Sequence, residues 1–212
     1  MFPNIEQAKR ILENARVRKD GSWINHSIET GKCAYKIASL CKMDADKAFV
    51  LGLLHDIGKC RDGQFRHILE GYRQMTALGY DAAAKICLTH TFPVKDITTY
   101  VGRFDVSAYE LKFVQNKIDK YDYDDYDRLI QLCDSIATSK GPVTLEERMK
   151  DIMLRYGSVY PVEKRQFIYW LKEYFEHKMG EDLYSVMDVA EKGKKKMLYI
   201  AATEGHFTKY CC

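Results

Sequence analysis

Apolar residues return along this chain with a helical period. Ile5, Ala8, Ile11, Leu12 and Ala15 fall on one stripe, and the same 3.6-residue spacing reappears in most later segments, with no sustained strand alternation to compete with it. The pattern predicts a second helix from Trp23 or His26 to Leu40, and a third, capped by Asp44 or Asp46, that ends at Gly58. Arg61, Asp62 and Gly63 mark a turn; a helix beginning at HILEG then stops at Gly79, and the next runs from Asp81 to near His90 and Pro93. A short segment at 96–102 follows, then a helix from Ser107 to Ile118, an acidic tyrosine-rich link DKYDYDDYD, and the helical stretch LIQLCDSIATS. Ser139 to Pro142 is the clearest break. Beyond it LEERMKDIMLRYG, VEKRQFIYWLKEYFEHKMG and the basic run EKGKKK all read as helical. The expectation is an all-α protein with a helical core over residues 1–142 and a helical extension over 143–212 packed on it, together one structural domain.

Composition narrows this little. A hydrophobic content of 46% is ordinary for a globule, and the 33 basic and 30 acidic residues are mixed along the chain, so the net charge of +3 argues against a dedicated nucleic-acid surface. Apart from the terminal pair Cys211 and Cys212, the cysteines (Cys33, Cys41, Cys60, Cys87 and Cys133) stand singly, without a CxxC element, and read as reduced. No stretch approaches the roughly 20 apolar residues needed to cross a bilayer. A cytoplasmic protein with no membrane partner is expected.

The histidines change the picture. Of the 6 in the chain, His26, His55, His67 and His90 lie in the first half, each on or beside a predicted helix. A lone histidine is more often a packed or surface residue than a ligand. Imidazole and carboxylate together, however, suit divalent transition metals, and a helical bundle can point such ligands inward across long gaps in sequence. In LLHDIGK, His55 and Asp56 follow an apolar helical run, and in LIQLCDSIAT the carboxylate of Asp134 interrupts another; a buried carboxylate needs a cation or strong hydrogen bonds to stay charged. Lys59 close to the doublet is the first candidate to offset developing negative charge beside a metal site, with Arg61, Arg66, Lys95, Lys140, Arg148 and Arg155 behind it, although a solvated helix-end lysine explains Lys59 almost as well. Arg148 and Arg155 lie two helical turns apart, so both can look toward one cleft, although a plain amphipathic helix explains them more cheaply.

A histidine, a histidine-aspartate doublet and a distant aspartate, here His26, His55-Asp56 and Asp134, resemble the pattern of the HD-domain superfamily over roughly Trp23 to Ser139. The resemblance implies a metal-dependent phosphohydrolase in which His26, His55, Asp56 and Asp134 hold one ion while Asp56 bridges to a second completed by His67 and His90. It implies iron or manganese first, with magnesium, cobalt, nickel or zinc as other divalent ions. Asp56 and Lys59 would be catalytic, and Lys59, Arg66, Lys95 and Arg148 would contact the substrate. That substrate would be a nucleotide or other small phosphate ester, and a homodimer is compatible. The branch with a Gly-Tyr-Pro signature matches poorly, because His90 is followed by Thr91, Phe92 and Pro93. A di-iron oxygenase and a nucleotide sensor without turnover are the rival readings.

Overall fold

In the computed structural model, residues 1–157 and 159–189 are described. They form ten α-helices, α1 (Ile5–Arg18), α2 (Ser22–Leu40), α3 (Ala45–Leu54), α4 (Arg66–Ala77), α5 (Asp81–Thr89), α6 (Ala108–Lys120), α7 (Asp125–Asp134), α8 (Leu145–Tyr156), α9 (Val162–Met179) and α10 (Leu183–Val186). Two short 3-10 turns, Ile57–Cys60 and Ile97–Thr99, sit between them. The protein is all-α, as its periodicity predicts. The basic run EKGKKK and the terminal cysteines lie outside the described residues.

Local chemistry sets the helix ends. Asn4 with Gln7, Ser107 with Glu110, Asp124 with Asp127 and Thr144 with Glu147 form reciprocal capping boxes, each satisfying backbone N–H groups that the first turn leaves unpaired. Asp44 caps α3 through the Lys47 amide. The acidic link DKYDYDDYD is therefore only partly a link: its second half supplies the cap and first turn of α7. At the predicted break a minimal antiparallel hairpin appears, β1 (Ala137–Thr138) against β2 (Gly141–Pro142), with Ala137 opposite Pro142.

One large apolar cluster joins α1, α2, α3, α5 and α7 to the C-terminal helices through Leu145, Met149, Phe167, Ile168, Leu171, Phe175 and Leu183. A smaller one, built on Phe65, Ile68, Leu69, Leu88, Phe92, Val114 and Ile118, ties α4, α5 and α6 together. At the centre α2 and α3 approach so closely that a Cβ on Gly52 would lie 2.7 Å from the Gly31 Cα. No helix among the described residues is long and apolar enough to cross a membrane.

The third helix departs from expectation. It stops at Leu54, because Asp56 (φ −103°, ψ 13°) leaves the helical region and starts the 3-10 turn; Gly58 lies inside that turn and terminates nothing. Its role is close approach: a Cβ there would meet the His67 carbonyl oxygen at 1.9 Å and the Gly71 amide nitrogen at 2.5 Å. The missing side chain lets α4 lie directly against the His55-Asp56 turn. Gly58→Ala should therefore cost about 3 kcal/mol or more in urea unfolding, since neither contact is a side chain that can swing aside. A midpoint equal to wild type would show that α4 does not sit so close.

Candidate metal centre

Three short helices end at one place. His55 follows the last residue of α3, His90 follows α5, and Asp134 closes α7. The unpaired carbonyls at helix C termini carry partial negative charge, so the fold favours a cation here before any side chain is counted. His26 arrives from the first turns of α2 and His67 from the start of α4. All four imidazoles and Asp56 are buried, Asp56 to 1% exposure.

The two oxygens of Asp56 face different partners. Oδ2 lies 3.7 Å from His26 Nε2 and 3.4 Å from His55 Nε2, whereas Oδ1 lies 3.3 Å from His67 Nε2 and 3.6 Å from His90 Nε2. Asp134 Oδ1 completes the first side, 2.9 Å from His26 Nε2 and 3.7 Å from His55 Nε2. Two groups of potential ligand atoms result, His26 with His55 and Asp134, and His55 with Asp56 and His90.

Backbone carbonyls set the imidazole tautomers. Nδ1 of His55 donates to the Gly52 carbonyl at 2.7 Å, that of His90 to Ile86 at 3.1 Å, and that of His67 to Gln64. A carbonyl can only accept, so Nδ1 holds the proton in each neutral ring and Nε2 turns a lone pair into the cluster, as a metal ligand requires.

A divalent cation fits this donor set. Among the described residues His55 Nε2 and Asp56 Oδ1 are buried without a hydrogen-bond partner, a costly state for polar atoms that a bound cation would relieve. The cluster also attracts whatever positive charge is at hand. Burial alone would push the Asp56 carboxyl up, but the Lys59 ammonium and His55 outweigh it and hold it well below the usual carboxylate range. Burial likewise opposes ionisation of Asp134, and hydrogen bonding with His26 and the nearness of His55 reverse it. Burial disfavours a proton on His55 as well, yet the two carboxylates push that imidazole up to about 10. His67 and His90 go the other way, lowered by burial to about 4 and about 3, and stay neutral as ligands must.

A family model for the HD domain matches residues 23–139, more than half of the chain. The chain belongs to the HD domain family. Comparison with curated proteins and with solved structures found no match. The family is one of metal-dependent hydrolases, and the His/Asp cluster just described is the part of this HD domain able to bind a divalent metal.

One side of the HD cluster opens on a cavity of about 240 Å³. Asp56, His67, His90 and Asp134 form its floor, while His26 and His55 lie behind. Lys59, Arg148 and Arg155 line it, as their positions in the sequence suggest. Arg66 and Lys95 do not, although both were expected at the substrate. The Arg66 guanidinium is held by the Asp105 carbonyl at 2.9 Å and faces Glu110 at 3.8 Å. Lys95 stands 5.0 Å over the Tyr123 ring. The tyrosines of DKYDYDDYD lie outside the cavity lining, whose rings come from Trp23, Tyr100, Tyr156 and Tyr160. Sequence reading also missed Lys19 and Lys164. For Lys164 a signal existed: it precedes Phe167, Ile168, Leu171 and Phe175 on the buried stripe of α9, a place where lysine is out of pattern.

The Lys59 ammonium is bonded to Asp56 Oδ2, the oxygen that faces His26 and His55. The ammonium and a divalent ion would therefore contend for one carboxylate oxygen. Lys59→Met should bind Mn²⁺ roughly tenfold more tightly in calorimetry, the scale of one charged hydrogen bond lost by the competitor. Weaker binding would mean that Lys59 supports the metal instead.

Proposed function

We propose that the protein is a metal-dependent phosphohydrolase acting on a small phosphate ester. The observation that carries this reading is the opening of the carboxylate-imidazole cluster onto a cavity whose cationic wall includes Lys19, Lys59, Arg148 and Arg155. A phosphate dianion calls for such a wall, whereas an oxygen-activating centre does so only where its own substrate is anionic. In this reading His26, His55, Asp134 and Asp56 would hold one ion, and His67, His90 and Asp56 would hold a second. Mixed imidazole and carboxylate donors suit iron(II) or manganese(II). A divalent ion bound there supplies Lewis acidity toward phosphoryl oxygen and lowers the pKa of water.

The chain's own residues do the rest. Arg148 is anchored by Asp151 at 3.1 Å and reaches within 3.9 Å of Asp134, which sets a planar, bidentate donor at the rim of the cluster. Lys59 sits between Asp56 and the cavity, where its ammonium can follow charge from the carboxylate to an incoming phosphate. Tyr100 and Tyr160 wall off solvent, and burial keeps both phenols protonated as hydrogen-bond donors. The cavity volume falls below the ~300–1,000 Å³ typical of drug-sized ligands, which favours sugar phosphates and similar esters, with a nucleoside monophosphate at the upper end.

Metal analysis and a screen of phosphate esters test this. Asp56→Ala should lose both ions and all phosphate release, while His67→Ala and His90→Ala should keep roughly one ion per chain and lose most activity. Equal metal content in the three variants would refute the shared carboxylate. Oxygen consumption without phosphate release from any ester would place the chemistry in the oxygenase class.

A further inference from the structure

The cavity has a second electrostatic feature, away from the carboxylates. Four of its five cations already have carboxylate partners: Lys19 with Asp62 at 2.8 Å, Lys59 with Asp56, Arg148 with Asp151 at 3.1 Å, and Arg155 with Asp151 at 2.7 Å. Lys164 differs. It is 8% exposed, it has no carboxylate within 4.0 Å among the described residues, and its one hydrogen bond is a long one of 3.5 Å to the Thr99 carbonyl. A buried ammonium without a counter-ion is an expensive arrangement that folding alone does not reward. Burial lowers it to about 8, so it is still mostly charged at neutral pH.

The surroundings are built to receive an anion. Lys164 stands in the first turn of α9, an 18-residue helix whose positive end adds to the ammonium. Tyr160, next to it in the wall, is 6% exposed, and the Lys164 ammonium lies 5.7 Å from that ring. The carboxylates on the cavity surface are Asp56 and Asp134, both part of the candidate metal cluster.

We infer that Lys164 and Tyr160 form a second anion subsite, so that the preferred substrate is a phosphate ester carrying a second anionic group, a carboxylate or another phosphate. This rests on the hydrolase reading for the fate of the first phosphate. It also gives α8 and α9 a task, because the wall they build would select the substrate.

Hydrolysis-resistant phosphonates separate the two ideas. Alkylphosphonates of three to six carbons, their ω-carboxylates and their ω-bisphosphonates would be titrated calorimetrically into the Mn²⁺-loaded wild type, Lys164→Met and Lys164→Arg. In at least one chain length a doubly anionic member should bind the wild type about tenfold more tightly than the simple phosphonate, the scale of one charge-assisted hydrogen bond. Lys164→Met should erase that preference and leave the simple phosphonate unaffected, Lys164→Arg should retain it, and the melting temperature of Lys164→Met should equal or exceed wild type. Whether the carboxylate or the bisphosphonate series gains identifies the second anion. No preference in the wild type, a preference that survives Lys164→Met, or a Lys164→Met protein that melts lower and binds every phosphonate more weakly would each overturn the subsite. Lys164-dependent preference without phosphate release from any corresponding ester would leave the subsite standing and remove the hydrolase reading.

Discussion

Everything in this structure turns on one buried carboxylate. Asp56 is 1% exposed, yet it stays ionised, with its two oxygens turned toward different pairs of imidazoles. Withdrawing a charge of that kind from water costs several kcal/mol unless a cation answers it. The protein meets this need with an ammonium from Lys59 and a proton held on His55, while the Nε2 lone pairs of His67 and His90, oriented by backbone carbonyls, are left for a cation. Such an arrangement is stable without metal only by borrowing positive charge, which is the electrostatic signature of a site made for a stronger cation.

The packing serves the same end. α3 is only 10 residues long and stops where its apolar run meets His55, so that the doublet lies on a turn and not on a helix face. Glycines at 31, 52 and 58 remove the side chains that would hold α2, α3 and α4 apart. Three C-terminal helix ends then contribute negative potential at the floor of the cavity, while α8 and the first turn of α9 contribute positive charge at its wall. Negative potential at the floor and positive charge at the wall are thereby kept apart, the division that the proposed phosphohydrolase reading requires.

The sequence makes the floor legible and the wall much less so. His26, His55, Asp56, His67, His90 and Asp134 stand out because imidazoles and carboxylates on apolar helical stripes have few other reasons to be there, and the structure gathers all six. Gly58 is misread because glycine after a helix usually signals a stop, and nothing local reveals that His67 will press against it. Arg66 and Lys95 mislead for a related reason: a cation near the motif in sequence says nothing of the Asp105 and Glu110 that hold Arg66, or of the Tyr123 ring beneath Lys95. Lys164 lies 108 residues beyond Asp56 and joins the cavity only through the packing of α9, although its place on an apolar stripe was a readable clue.

The central claim, that this cluster is a metal centre divided by Asp56, is tested most directly by anomalous diffraction from crystals soaked in Mn²⁺. Two anomalous peaks should appear, one among His26, His55 and Asp134 and one beside His67 and His90, with Asp56 touching both. An empty cluster, or manganese bound only at surface carboxylates, would contradict it.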